Sequence, residues 1–227
     1  MPKQARIFAW TIIGIGIAIL LGAAVLWESA DGAGLPIYLV LVAIASIFKV
    51  RLPGLTGTIS PGFVFLLVAA SVRTWSETVL VAVCGGLAQS LWQPKVRPSM
   101  LQISFNAATL AIAGGISHTV ARSVTRVGGL EGPTVAMMLG VAGVVLLITN
   151  TMIVSTILCL IREVSVRTVW SSMQLSAVPY YLAGGVIANI WVRANFTANS
   201  GLAVIAVLSV YLLSVSYREL SSRIASA

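Results

Sequence analysis

The sequence predicts an all-α protein, built as a polytopic bundle of transmembrane helices. Of its 227 residues, 58% are hydrophobic and only 9% are charged, which is far from the composition of a soluble domain. Apolar runs free of Asp, Glu, Lys and Arg recur along the chain, and roughly 20 such residues in a helix cross a hydrocarbon core of about 30 Å. Residues 1–227 are therefore predicted to form a single integral membrane domain.

Eight apolar runs are candidate spans. They cover about residues 7–27, 35–48, 58–72, 78–93, 99–121, 134–161, 176–192 and 200–217. The second and third have the shortest apolar cores. The third is expected to be short or re-entrant, because Pro61 removes a backbone donor and Gly57 and Gly62 loosen the helix.

An amphipathic pattern lies between the sixth and seventh spans, at residues 163–175. Val166, Val169, Trp170 and Met173 recur at i, i+3, i+4 and i+7, and the charged side chains lie largely elsewhere on the helix. This pattern predicts a helix in the inner membrane interface, with Trp170 as its anchor.

A stripe of small residues marks the first span. Gly14, Ala18 and Gly22 recur every four residues, and small residues let helices approach closely in lipid. We expect this stripe to pack within the chain, although it would also suit an interface with another chain.

The basic residues predict the orientation of the bundle. If the N-terminus is cytoplasmic and all eight runs cross, ten of the 14 Lys and Arg residues fall on the inner side. The four on the outer side are Arg73, Arg122, Arg126 and Arg193. Cytoplasmic loops collect basic residues, so both termini are predicted to be cytoplasmic. The net charge of +8 then meets anionic lipid headgroups, and nucleic acid is not an expected partner.

Two asparagines interrupt otherwise apolar spans: Asn106 in "SFNAATLAIAGGISHTV" and Asn150 in "LLITNTMIV". A buried amide without a partner costs several kcal/mol. At about 1.5 Å per residue, both lie within about 16 Å of the inner end, the half that also holds Ser60, Gln89 and Tyr180. These five residues are predicted to form a polar layer. They either hydrogen-bond across helices or converge on a small neutral or weakly polar ligand.

Catalytic, cofactor and metal sites are not expected from the sequence. It contains no carboxylate pair, no nucleophile beside a base and no phosphate-binding glycine loop. His118 has no partner of metal-ligand type at helical spacing, and it is expected to stand alone toward the outer half. The protein is therefore predicted not to be an enzyme.

Four segments carry a family resemblance: Gly54 to Ala70, Ser104 to Gly115, Ile148 to Trp170 and Val178 to Ala188. Together they resemble the multi-pass N-terminal membrane module of bacterial HD-GYP and GGDEF signalling proteins. The chain is more distantly similar to the substrate-binding S-components of energy-coupling-factor transporters. The first resemblance implies a sensor or anchor in the bacterial inner membrane with a cytoplasmic signalling partner, and the second implies a membrane partner subunit.

Three functions follow from these observations as hypotheses. The first is a non-catalytic sensory or regulatory module that binds a small ligand or lipid within the bundle. The second is a substrate-binding transporter subunit, and the third is an accessory structural subunit of a larger membrane complex. After Tyr217 only ten residues remain, so the chain is expected to be either a fragment of a longer signalling protein or a free-standing member.

Overall fold

A computed structural model describes residues 1–30, 34–51, 58–92, 97–128 and 132–193, together with 211 and 215. Within these residues it shows seven helices and two short strands. They are α1 (Lys3–Val25), α2 (Leu35–Ile47), β1 (Val50–Arg51), β2 (Thr58–Ile59), α3 (Gly62–Val72), α4 (Trp75–Leu91), α5 (Met100–Gly128), α6 (Gly132–Arg162) and α7 (Val166–Arg193). The predicted span at 200–217 lies almost entirely outside the described residues.

Among the described residues, three helices are long and apolar enough to cross a membrane: Lys3–Val25, Met100–Arg126 and Thr134–Arg162. This confirms the helical class and helices of membrane-spanning length. The prediction of about eight spans, with the third short or re-entrant, is met only in part. With 13 and 11 residues, α2 and α3 reach only about 20 Å and 16 Å, against a hydrocarbon core of about 30 Å.

The third predicted span begins as a two-residue strand, β2, and continues as the eleven-residue helix α3. β1 and β2 pair antiparallel, with Val50 opposite Ile59 and Arg51 opposite Thr58. An extended chain rises about 3.3 Å per residue, so residues 58–60 add about 10 Å to the length of α3. Pro61 sits directly before the helix, where its missing N–H costs least. The expected shortening is therefore present at Pro61 and Gly62, while Gly57 lies outside the described residues.

The core of the bundle forms around α3. Ten of its eleven residues are buried, from Gly62 to Ser71. It contacts α2, α4, α5, α6 and α7. A helix that is apolar on every side has no polar face that could be exposed to water. This short helix is therefore buried at the centre of the bundle.

α7 joins two segments that were predicted separately. The amphipathic segment at 163–175 and the span at 176–192 form one helix, and Pro179 lies inside it. A short turn separates it from α6, where Glu163 takes the left-handed backbone conformation with φ of 56°. In this first part of α7, Val166 and Arg167 are exposed and Val169 packs against Cys159.

Two contacts define the ends of the bundle. The Lys49 Nζ donates a hydrogen bond to the Trp92 carbonyl oxygen at 2.7 Å, which places the end of α2 beside the end of α4. The Arg73 guanidinium lies 4.7 Å from the centre of the Tyr38 ring, which places the start of α2 beside the α3–α4 corner. We call the Lys49 end inner and the Arg73 end outer, following the predicted topology.

Candidate functional site

The predicted polar residues lie at the level where α3 begins. A methyl group placed on Gly114 of α5 would lie 3.3 Å from Leu66 Cδ1 of α3, so these two residues are level. One helical turn toward the inner end, α3 begins at Gly62 and α5 reaches Leu110. Asn106 is a further turn along α5. It therefore lies about 6 Å below the first residue of α3.

Asn106 connects α5 to α4. Its Nδ2 donates a hydrogen bond to Ser90 Oγ at 3.0 Å, and that hydroxyl donates to the Gly86 carbonyl oxygen at 2.8 Å. Ser90 is buried, whereas the Asn106 side chain is exposed in the isolated chain. The amide thus has an interhelical partner and still presents part of its surface.

Asn150 connects α6 to α7 and, through aromatic rings, to α3. Its side chain is hydrogen-bonded to the Tyr181 hydroxyl. The Tyr181 ring stacks on Phe63 in the first turn of α3, with 4.1 Å between centroids and 21° between planes. Tyr180 is also buried, and its ring centroid lies 5.4 Å from that of Phe63.

Ser60 and Gln89 complete the predicted set. The buried Ser60 Oγ accepts a hydrogen bond from the Gly62 N–H at 3.1 Å and so satisfies one of the free amides at the start of α3. Gln89 is half-buried on α4, next to Ser90. We call the five predicted residues the polar ring: Ser60, Gln89, Asn106, Asn150 and Tyr180. Ser60 lies just before α3, and the other four residues lie on α4, α5, α6 and α7.

The inner end below the polar ring is basic. Lys49 is half-buried, and burial lowers the pKa of its amino group. Arg97, just before α5, is exposed. Lys49 and Arg97 therefore place basic side chains at this end of the bundle.

A buried carboxylate at the outer end was missed in the sequence. Glu77 is fully buried, and its Oε1 accepts hydrogen bonds from Ser29 Oγ at 3.1 Å and from the Ala30 N–H at 3.3 Å. Its Oε2 accepts from the Thr74 N–H at 3.4 Å, as part of a capping box at the start of α4. The spacing Thr74-x-x-Glu77 is the usual sequence signature of such a box, so this signal was available.

Further polar contacts extend this outer group. The buried Arg73 lies 3.9 Å from the Glu77 carboxylate, and its carbonyl oxygen accepts a hydrogen bond from Arg122 at 2.9 Å. Thr78 Oγ1 lies 3.3 Å from His118 Nδ1. The expectation that His118 stands alone was therefore wrong, because Thr78 comes from another helix and sequence spacing could not show it. We call Arg73, Glu77, Thr78, His118 and Arg122 the outer latch.

Comparison with protein-family models, with curated proteins and with solved structures gives no match. Within the described ranges, no group of three or more His, Cys, Asp or Glu side chains is placed to hold a metal ion. The class of the protein follows from the part of the chain that the structure describes: an all-α bundle with three helices of membrane-spanning length.

Proposed function

We propose that the protein is a non-catalytic sensory or regulatory module of the bacterial inner membrane. In this proposal the chain makes about eight passes, with both termini cytoplasmic, and binds a small ligand or lipid within the bundle. One observation carries the proposal: the polar ring lies at the level of the non-helical entry to α3. Non-helical backbone at membrane depth is tolerated where it is buried in protein or lines a cavity, and interrupted helices are frequent binding sites.

The chemistry of the polar ring favours a neutral ligand. Its side chains are two carboxamides from asparagine, one from glutamine, a serine hydroxyl and a tyrosine hydroxyl. Such groups donate and accept hydrogen bonds but supply no counter-charge for an ion. A small neutral or weakly polar molecule with hydrogen-bonding groups suits them best.

The contacts of α7 supply a route from this site to the rest of the bundle. Tyr180 and Tyr181 pack on Phe63, and a methyl group on Gly184 would collide with the same ring. A ligand that shifts the start of α3 must therefore also shift α7. At the inner end, the Phe48 ring meets Tyr211 of the predicted last span edge-on at 5.4 Å. A cytoplasmic partner would receive the change there.

One observation favours the second candidate, a substrate-binding subunit of an energy-coupling-factor-type transporter. The α1 stripe was expected to pack within the chain, but Gly14 and Ala18 are exposed. A methyl group on Gly14 would meet no atom within 4 Å. Small exposed residues on a membrane helix suit close packing against a helix of another subunit.

Native mass spectrometry of the detergent-extracted protein tests the proposal. We expect a neutral small molecule or lipid bound to the wild-type chain and lost from the double variant Asn106→Leu/Asn150→Leu. Thr119→Leu, an exposed position on α5, is the matched control and should keep the ligand. A wild-type chain that carries no ligand contradicts the proposal. In that case, copurified ATPases would indicate the transporter subunit, and a large assembly would indicate an accessory structural subunit.

A further inference from the structure

We infer that the polar ring is reached from the inner end of the bundle and is closed from the outer end. The inference deepens the proposed function, on which it rests for the existence of a ligand. The route itself rests on the burial of side chains along the helices. It would make the ligand a molecule that arrives from the predicted cytoplasmic side.

The outer latch forms the closed side. Glu77 and Thr78 are fully buried, and Arg73 and His118 have relative exposures of 2% and 7%. Their hydrogen bonds connect the α1–α2 connection, the α3–α4 corner and α5. Buried charged and polar groups that satisfy one another leave no opening for water at this end.

The opposite trend appears along α5 toward the inner end. Ala113 and Ser117 lie seven and eleven residues after Asn106 and therefore share its helix face. Both have 0% exposure, and Ser117 Oγ donates to the Ala142 carbonyl oxygen of α6 at 2.9 Å. Asn106 on the same face is exposed. Asn106 keeps its contact with Ser90 of α4, but α3, which begins only at Gly62, does not extend to this level.

α6 shows the same change. Ala142 and Leu146 precede Asn150 by eight and four residues, and both are buried, whereas Asn150 is half-buried. An amide that faced lipid at this depth would be costly. Asn150 and Asn106 instead lie on the faces that are buried against neighbouring helices higher up, so their exposure indicates a crevice inside the bundle.

α4 repeats the pattern on a third side. Ala82 and Gly85 precede Gln89 by seven and four residues; both are buried, and Gln89 is half-buried. Three helices thus open at one level, just below the start of α3. In this inference the space lies just below the start of α3, beside Asn106, Asn150 and Gln89, and water and a neutral hydrogen-bonding molecule enter it from the inner end.

Cysteine labelling with a charged, membrane-impermeant maleimide tests the route. The background carries Cys84→Ala and Cys159→Ala, and the probe position is Asn106→Cys. Arg97→Cys marks the inner end and Ser29→Cys the outer end, since both positions are exposed. In sealed vesicles of the two orientations, we expect Asn106→Cys to be labelled only where Arg97→Cys is labelled.

Labelling of Asn106→Cys from the Ser29→Cys side, from both sides or from neither would overturn the inference. Asn150→Cys repeats the test in case the first substitution disturbs the bundle. Adding Glu77→Gln should allow Asn106→Cys to be labelled from the outer side as well. If labelling still occurs only from the inner side, Glu77 does not help to close the outer end. If Asn106→Cys is labelled from the inner side but native mass spectrometry detects no ligand, the route is supported and the proposed function is contradicted.

Discussion

Replacing Gly86 with alanine tests how closely α4 and α5 approach beside the polar ring. A methyl group built on Gly86 would lie 2.8 Å from Ala107 Cα and 3.2 Å from both Ala107 N and the Asn106 carbonyl oxygen. These atoms belong to the backbone of α5, so no side chain can rotate out of the way. The two helices would have to move apart.

The size of the movement sets the expected loss of stability. Relaxing 2.8 Å to an ordinary contact of about 3.5 Å separates the helices by about 0.7 Å. The same shift would stretch the 3.0 Å hydrogen bond from Asn106 to Ser90 beyond its useful range. Overpacking costs about 1–3 kcal/mol and the hydrogen bond about 1 kcal/mol, while the better helix propensity of alanine offsets about 1 kcal/mol. The net loss is about 2 kcal/mol.

Thermal unfolding in detergent is the assay, with Gly14→Ala as the matched control. Gly14→Ala is the same substitution in another helix of the protein, but there the added methyl group would have no atom within 4 Å. A loss of about 2 kcal/mol corresponds to a midpoint lowered by roughly 4–8 °C for a chain of this size. Gly14→Ala should leave the midpoint unchanged or raise it. Equal midpoints for the two variants would refute the close approach of α4 and α5.

Three further outcomes are expected. Glu77→Gln should lower the thermal midpoint, because a buried carboxylate that accepts three hydrogen bonds loses its charge. Glu28→Gln, at an exposed position, should leave the midpoint unchanged. Equal shifts for the two variants would contradict the role of Glu77 in the outer latch. Asn150→Leu and Tyr181→Phe should be non-additive by about 0.6 kcal/mol in a double-mutant cycle of unfolding free energies, and strict additivity would show that the hydrogen bond contributes nothing. Ser60→Ala should cost about 1 kcal/mol by removing the hydrogen bond that the Gly62 N–H donates to Ser60 Oγ, and a wild-type midpoint would show that water or another group replaces it.

Much of the fold could be predicted from composition, because a helix in lipid must be apolar and must satisfy its own backbone. The places of α1, α5 and α6 along the chain follow from that requirement, although α1 begins at Lys3 rather than near residue 7 and α5 continues to Gly128 rather than ending near residue 121. The interruption before α3 could also be predicted, since Pro61 and its neighbouring glycines act locally. The count of spans could not, because an apolar run does not reveal whether its first residues are strand or helix.

The depth of the candidate site residues could be predicted from the sequence, but their contact partners are known only from the packing of the helices. Counting residues placed Asn106 and Asn150 in one half of the bundle, and the structure puts both near the start of α3. Their partners, Ser90 and Tyr181, could not be assigned, since helix rotation and neighbours are long-range properties. The contact of His118 with Thr78 was missed for the same reason: it joins residues 40 positions apart.

α2 and α3 run antiparallel. The side of the membrane on which each later connection lies therefore does not depend on how deeply this pair enters the membrane. α2 starts beside Arg73 at one end of the bundle, and α3 ends at Val72 at that same end. The chain therefore leaves the pair on the side where it entered, whether the pair makes two complete passes or one shallow excursion. Each later connection keeps its assigned side in both cases, so the orientation inferred from charge survives a change in the number of passes from eight to six.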